Sequence, residues 1–396
     1  MISTPEALAE LCRHLAGEKV IAWDTEFIRE TTFFPMVELL QIGTRDQCWV
    51  IDVKAFLDHP DKDRVVQPLL DVFRNPEILK IVHAAQGDQE SLFTAFGTVS
   101  TPTFDTAVGA SLCGYGDSIG LGNLVKNIMG IQLNKGHSRT NWSVRPLPKQ
   151  LIEYALDDVK YLVEVAEKLL AELDRLNRRT WGMEISAKWE DTRLFQSDPE
   201  EMARRLAKGA KMDARAFGAL RELMRWREAR VRTLNLPRRW VAEDQVLVDL
   251  AKVRPKDLAH LGAFRGLNKG EIQKQGETLL EAIRKGEADA PHLEPLEKGR
   301  RPDIPDADEA QVLSLLQCYV GILADEHQLA ARHLLTSAQL LPIFRAREQG
   351  VQGWLDQKLL SPEAAALVGQ EIHEFLAGKR ALTISGAKIQ VVPVGQ

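Results

Sequence analysis

Apolar positions along the first third of the chain change period repeatedly, and each change separates a helix from a strand. Leu8, Leu11, Cys12 and Leu15 recur at helical spacing behind the capping stretch Ser3-Thr4-Pro5, predicting a short amphipathic helix within residues 1–20. The apolar run Ile21-Ala22-Trp23-Asp24-Thr25-Glu26-Phe27 then reads as a buried strand. Met36–Gly43 and Cys48–Asp52 read as two more, joined by the polar turn Thr44-Arg45-Asp46-Gln47. Strands in direct succession imply an antiparallel start to a mixed sheet. Helical spacing returns at Val65, Val66, Leu69, Leu70 and Phe73 over residues 64–74, and Ile78–His83 reads as the next strand. A helix is expected over 88–96, and another, with the stripe Leu151, Ala155, Val159 and Leu162, from 151 to about 176. The alternation predicts an α/β layer.

Beyond it the period is helical almost throughout. Phe217, Leu220, Leu223 and Met224, then Val246, Leu247, Leu250 and Ala251, then Leu279, Leu280 and Ile283 predict an all-α module. Pro291, Pro295, Pro302 and Pro305 among charges mark a linker, after which residues 309–380 are helical again. A faint repeat sets Gln245-Val246-Leu247 against Gln339-Leu340-Leu341, offset by 94 residues. Alternation from Ala381 to Pro393, turning at Ser385-Gly386, predicts a terminal hairpin. The expected organisation is an α/β domain at 1–176, a connecting helical segment at 177–210, helical modules at 211–288 and 309–380, a linker at 289–308, and a hairpin or tail at 381–396. Trp181 and Trp189 in the connector are expected to pack on the α/β domain.

Composition adds exclusions. No stretch approaches the roughly 18 apolar residues of a membrane span, and no basic-then-apolar leader opens the chain, so a cytoplasmic protein is expected. Cys12, Cys48, Cys113 and Cys318 are scattered, without the spacing of a zinc site or a disulfide framework. The net charge of −5 conceals an asymmetry: residues 1–170 carry 16 Lys+Arg against 23 Asp+Glu, and residues 211–290 carry 17 against 12. An acidic front suits a carboxylate-lined metal site, and a basic middle suits a surface that meets phosphates. Seven arginines, Arg221, Arg225, Arg227, Arg230, Arg232, Arg238 and Arg239, concentrate that positive charge.

The candidate chemistry begins in the first strand. Residues two apart project from the same face, so Asp24 and Glu26 point together out of an apolar run, and a divalent cation is the economical compensation. Asp88 lies just past a strand end, where open α/β sheets place their ligands; its plainer reading is a helix cap. Asp105 reads as a helix N-cap, and Asp157 as a surface residue. Tyr154 and Asp158 share one helix face. Residues 114–145, with Lys135, His137, Arg139, Asn141, Trp142 and Arg145, form a polar segment suited to covering a substrate groove. His83 and His137 lack partners at metal-ligand spacing.

The ordered set Asp24-x-Glu26, Asp88, Tyr154-x-x-x-Asp158 resembles the DEDD exonucleases of the tyrosine type, and the phrases around it resemble ribonuclease D. These phrases are Asp24-Thr25-Glu26-Phe27-Ile28-Arg29, Phe34-Pro35, Leu40-Gln41, His83-Ala84-Ala85, Arg139-Thr140-Asn141-Trp142 and Arg145-Pro146-Leu147. Pro237-Arg238-Arg239-Trp240 and Phe264-Arg265-Gly266-Leu267 resemble the helicase-and-RNase-D C-terminal module, and the likeness extends over residues 1–380. Two departures stand out: Asn141 where the family more often has Asp, and Glu38 where an apolar or small residue is usual.

The resemblance implies a ribonuclease H-like mixed sheet flanked by helices, followed by two small all-α domains folded back over the cleft. It implies two divalent metal ions, Mg2+ or Mn2+, held by Asp24, Glu26, Asp88 and Asp158, with Tyr154 orienting the attacking water. It further implies a 3′-to-5′ exoribonuclease that releases nucleoside 5′-monophosphates from unpaired 3′ ends, with transfer-RNA precursors as substrates and no obligatory protein partner. Arg139, Trp142, Arg145, Arg238 and Arg239 are the candidate RNA contacts. The rival readings are a DNA exonuclease built on the same residues and a non-catalytic RNA-binding protein.

Overall fold

The structure, a computed structural model, describes residues 1–133, 140–294 and 304–394. Its α/β part is built on strands β1 (Val20–Ile28), β2 (Met36–Gly43), β3 (Cys48–Asp52), β4 (Leu79–Val82) and β5 (Thr103–Asp105), in the order β3-β2-β1-β4-β5. The three strands that follow one another directly are antiparallel, whereas β4 and β5, each reached through a helix, run parallel to β1. Parallel pairing of β1 with β4 stops at Ala22 opposite Ile81, so the rest of β1 overhangs the sheet on that side. The acidic residues lie on this overhang.

Strand alternation sorts β1 between two cores. Ile21 and Trp23 pack with the Pro5–Leu15 and Lys62–Arg74 helices, Trp23 meeting Phe73 edge-on at 5.1 Å between ring centroids. Ala22, on the opposite face, packs with Val159, Leu162 and Leu169. Asp24 and Glu26 continue the Ala22 face by period two. The helix expected to run unbroken from 151 to 176 is two helices, Lys149–Lys160 and Leu162–Arg175, interrupted at Tyr161. Gly43 lets the first lie close against β2: a Cβ there would stand 2.9 Å from the Val159 carbonyl oxygen.

The first helical module crosses two long helices, Ala214–Leu234 and Lys269–Asp289, at Gly218 and Gly286, where a Cβ on either would overlap the other's backbone. The expected connector is helical, and its last helix, Pro199–Ala210, buries Ala203 and Ala207 in this module's core. Trp181 and Trp189 pack on the α/β domain as expected. In the second module the Ser337–Arg345 helix begins one residue before the position that the 94-residue offset projects from Asp244–Val253. The hairpin is present as Arg380–Ser385 paired with Lys388–Pro393.

Both modules dock on the α/β domain. Asn235, left-handed at the end of the Ala214–Leu234 helix, accepts the Phe33 and Phe34 amides at 3.1 and 3.0 Å. On the other side Arg178 donates to the carbonyls of Leu112 and His327, both at 2.7 Å, and Ser111 bonds His333 at 2.7 Å. The second module thereby shares one continuous apolar core with the α/β domain.

Candidate active site

Strand β1 delivers Asp24 and Glu26 to the face on which the Lys149–Lys160 helix lies, and that helix adds Asp158. One carboxylate oxygen from each of the three falls within 4.8 Å of the others. Tyr154 stands one turn before Asp158 on the same helix.

Asp88 arrives differently. It sits in the first turn of the Gln86–Phe96 helix and is held from the overhang of β1, accepting the Thr25 amide at 3.1 Å and the Thr25 hydroxyl at 2.5 Å. The tetrad of acids is therefore three grouped carboxylates plus Asp88, which lies outside the group but close enough to raise the pKa of Asp24 and Glu26.

The electrostatics follow from burial and mutual repulsion. Burial raises Asp24 well above the ordinary carboxylate range, reinforced by Asp88, Asp158 and Glu26. Glu26 is pushed up to about 8, again by burial first and then by Asp158 and Asp88. Burial likewise lifts Asp88 and Asp158 to about 7 each. Tyr154 is driven to about 12 by burial and by the neighbouring carboxylates, so its phenol keeps its proton. These acids have no cation among their causes of shift, and their donors are all hard carboxylate oxygens. That all-oxygen set fits a hard divalent cation.

Two supporting residues escaped the sequence reading. Thr25, alternating to the face opposite its acidic neighbours, is the anchor of Asp88. Asp105 does cap its helix, accepting Ala107 N at 2.9 Å, but its two oxygens also accept the Ala84 and Ala85 amides at 2.8 and 2.9 Å. It thus holds the turn, left-handed at Ala84, that launches the helix of Asp88. The only sequence signal was the pairing of His83-Ala84-Ala85 with a downstream Asp, which spacing alone does not reveal. His83 is half-buried, its ring nitrogens bonded to the Thr106 hydroxyl at 2.9 Å and the Ile119 carbonyl at 3.0 Å, which makes it an internal brace.

The expected RNA contacts divide. Arg139, with Lys135 and His137, lies outside the described residues. Trp142 is 2 % exposed, packed among Leu39, Val50, Leu147 and Leu151, because its apolar ring completes the seam between β2, β3 and the Lys149–Lys160 helix. Arg145 forms a fork on Asp52 at 2.7 and 2.8 Å and approaches Glu38 at 3.5 Å, which also supplies the reason for an acid at position 38. Asn141 needs only its acceptor: its Oδ1 takes the Ser143 amide and hydroxyl, a task Asp performs equally.

The arginine run is likewise largely neutralised. Arg221 pairs with Glu200, Arg225 with Glu222, Arg227 with Asp244, Arg230 with Glu271, and Arg232 and Arg238 with Glu228. Arg239 is exposed and makes no salt bridge among the described residues. A cavity of about 590 Å3 opens between the α/β domain and the first module, lined in part by Arg29, Phe33, Phe34, Gln86, Gln196 and Arg238.

Comparison with known proteins bears on the whole chain. Residues 1–174 match the 3′-5′ exonuclease family and residues 216–283 the HRDC domain family. Ribonuclease D of Acidiphilium cryptum is 33% identical over 398 residues, covering 99% of this chain and 96% of that protein. Ribonuclease D of Granulibacter bethesdensis is 32% identical over 404 residues, covering 100% and 97%. The crystal structure of Escherichia coli RNase D, described as an exoribonuclease involved in structured RNA processing, superposes with a TM-score of 0.74 at 27% identity, over 96% of this chain and 98% of that one. A protein from Bifidobacterium adolescentis shares the fold at TM-score 0.62 and 22% identity, over 96% and 97%.

Proposed function

This chain belongs to the ribonuclease D family and is a 3′-to-5′ exoribonuclease, and from that premise we propose that it trims unpaired 3′ ends of transfer-RNA precursors and other structured RNAs, releasing nucleoside 5′-monophosphates. The observation that carries this reading is the group Asp24, Glu26 and Asp158, three carboxylates within 4.8 Å with Tyr154 one turn away.

Asp24, Glu26 and Asp158 would hold one divalent cation, and Asp24 with Asp88 a second. Two such ions supply a water of lowered pKa and neutralise charge on the leaving oxygen. The protein's own part is positional. Thr25 fixes the Asp88 carboxylate, and the short distances among the other three acids concentrate negative charge that a bound cation relieves in place of protons. Tyr154, whose phenol is held protonated in the metal-free site by burial and by the neighbouring carboxylates, donates a hydrogen bond that orients the attacking water. Water oxygen bonds to phosphorus, the phosphorus–O3′ bond breaks, and the shortened strand keeps a 3′-hydroxyl while the released nucleotide keeps the phosphate.

The two modules, docked on the α/β domain through separate contacts, suit a structured RNA body, while a single strand enters the acidic site. Among the described residues no helix is long and apolar enough to cross a membrane.

The test uses 5′-labelled single-stranded RNA and its DNA counterpart with magnesium, manganese or chelator, beside Asp158→Asn. A ladder shrinking from the RNA 3′ end, absent with chelator and in the variant, is expected. Shortening of DNA alone would replace the substrate assignment, and a ladder that persists in chelator would remove the metal assignment.

A further inference from the structure

We propose that Arg145 is a positioning residue for Tyr154, acting through Trp142, and does not contact the RNA. The inference deepens the exonuclease reading and rests on it.

The connection is continuous in the structure. Asp52 ends β3, and in the sheet register it lies opposite Leu39, which lies opposite Glu26. Directly paired residues share a face, so this row carries a site carboxylate at one end and the anchor of Arg145 at the other. The guanidinium takes Asp52 in a planar fork, Nε to Oδ2 at 2.8 Å and Nη2 to Oδ1 at 2.7 Å. Its remaining donors turn inward: Nη1 to the Trp142 carbonyl at 2.7 Å and the Val144 carbonyl at 2.9 Å, and Nη2 to the Glu38 carbonyl at 3.3 Å. Each nitrogen of the guanidinium is thereby engaged by the protein, which leaves no face-on fork for a phosphate.

What Arg145 fixes is the backbone that carries Trp142. The indole, buried against Leu39 and Ala155, stacks on the Tyr154 ring with centroids 6.1 Å apart and planes at 30°. Tyr154 itself is only partly buried, so one side of its ring is set by that indole. Lys does not replace this arginine, because an ammonium cannot span two Asp52 oxygens and two backbone carbonyls in one plane. An aromatic stack supplies orientation without charge, which suits a phenol whose role is to aim a hydrogen bond beside three carboxylates.

The test is a double-mutant cycle on the metal-loaded full-length enzyme, read as kcat, KM and the salt dependence of RNA affinity. Arg145→Ala should lower kcat by roughly tenfold to a hundredfold, the cost of a misplacement of about 1 Å. KM and the salt slope should hold. In a Tyr154→Phe background, which keeps the ring and removes the hydroxyl, the further loss from Arg145→Ala should shrink to within about twofold. Arg145→Lys and Trp142→Phe should reproduce the pattern at smaller size. They carry the comparison if Arg145→Ala leaves Asp52 unpaired and the chain unfolds, which a melting curve reveals.

Equal losses of kcat in both backgrounds would overturn the positioning role. So would a raised KM with a salt slope shallower by about 0.7, the mark of a lost single-strand phosphate contact. Wild-type enzyme that hydrolyses RNA while the losses are additive removes only this proposal, whereas inactive wild type removes the exonuclease reading with it.

Discussion

Two charged regions of this molecule look alike in sequence and are opposites in structure. In the acidic one, Asp24, Glu26 and Asp158 converge within 4.8 Å, and burial and mutual repulsion raise their pKa values. In the basic one, the run from Arg221 to Arg239, six of the seven arginines are paired with acids from the same module or the adjoining helix. A charge excess counted along a chain therefore does not mark a binding surface. What marks the functional site is charge that the fold gathers and leaves uncompensated, at a cost in stability that a bound cation removes.

The largest expected effect breaks the acidic side. Asp158→Asn should lower kcat by about a thousandfold or more, since the variant loses one of three grouped donors in the site. The same change should leave the metal-free melting temperature equal or higher, because it removes a repelling carboxylate. A melting temperature that falls sharply would mean that Asp158 supports the fold and that repulsion is not the dominant effect.

The mirror experiment acts on the basic side. Arg227 is fully buried and pairs with Asp244 at 2.5 Å and with Glu228, itself 1 % exposed, at 3.3 Å. Arg227→Ala empties a fully buried side-chain site and removes the buried partner of Asp244, while Arg238 and Arg232 still hold Glu228, and should cost about 2–4 kcal/mol in stability. Denaturant titration checks it, and kcat per folded molecule should stay within a fewfold of wild type. The comparison predicts this crossing: losing charge at one site destroys activity and spares the fold, and at the other the reverse.

A third prediction concerns pH. Glu26 at about 8 and Asp158 at about 7 hold protons in the folded, metal-free protein that the unfolded chain releases near its ordinary carboxylate values. Their contribution to stability is therefore full below about pH 4, falls progressively as pH rises, and is gone once pH passes the folded values of about 7 and 8. Magnesium, which binds the deprotonated form, should raise the melting temperature more at pH 8 than at pH 6. The difference between wild type and Asp158→Asn, measured by calorimetry with and without metal, isolates these groups from the other acids of the chain. A magnesium shift equal at both pH values would sink the idea.

Much of this architecture was legible from pattern, and the failures are instructive. Strands β2 and β3 and the terminal hairpin fell where the sequence placed them: β2 and β3 as short, largely apolar runs joined by a polar turn, the hairpin by its alternation. The helix through Tyr161 was expected to be continuous because its apolar stripe does not lapse; the break, at a Tyr161 φ of −109°, leaves Leu151, Ala155, Val159 and Leu162 all buried and so leaves no mark in the pattern. Strand and helix periods state only that Asp24 shares a face with Glu26, and Tyr154 with Asp158; joining the two pairs into one candidate site came from the family resemblance. The partners of Arg145, by contrast, are Asp52 and Glu38, 93 and 107 residues away. An arginine beside a tryptophan in a polar segment has the composition of an RNA contact, and only the fold shows that both face inward.

The smallest expected effect sharpens the comparison where the two regions come nearest to agreement. Arg238 and Arg239 are adjacent and both basic, yet Arg238 is held by Glu228 at 2.7 Å and lies over the Phe33 ring at 4.9 Å, at the seam between the first module and the α/β domain. Arg239 is exposed and without a salt bridge among the described residues. If uncompensated charge marks function on the basic side too, Arg239→Ala should weaken RNA binding a fewfold and shorten the salt slope by about 0.7, with the melting temperature unchanged. Arg238→Ala should do the opposite, lowering the melting temperature by loosening the seam and leaving the salt slope intact. Filter binding across a salt series reads both, and identical slopes for the two variants would show that the pairing of an arginine within this fold does not decide whether it meets RNA.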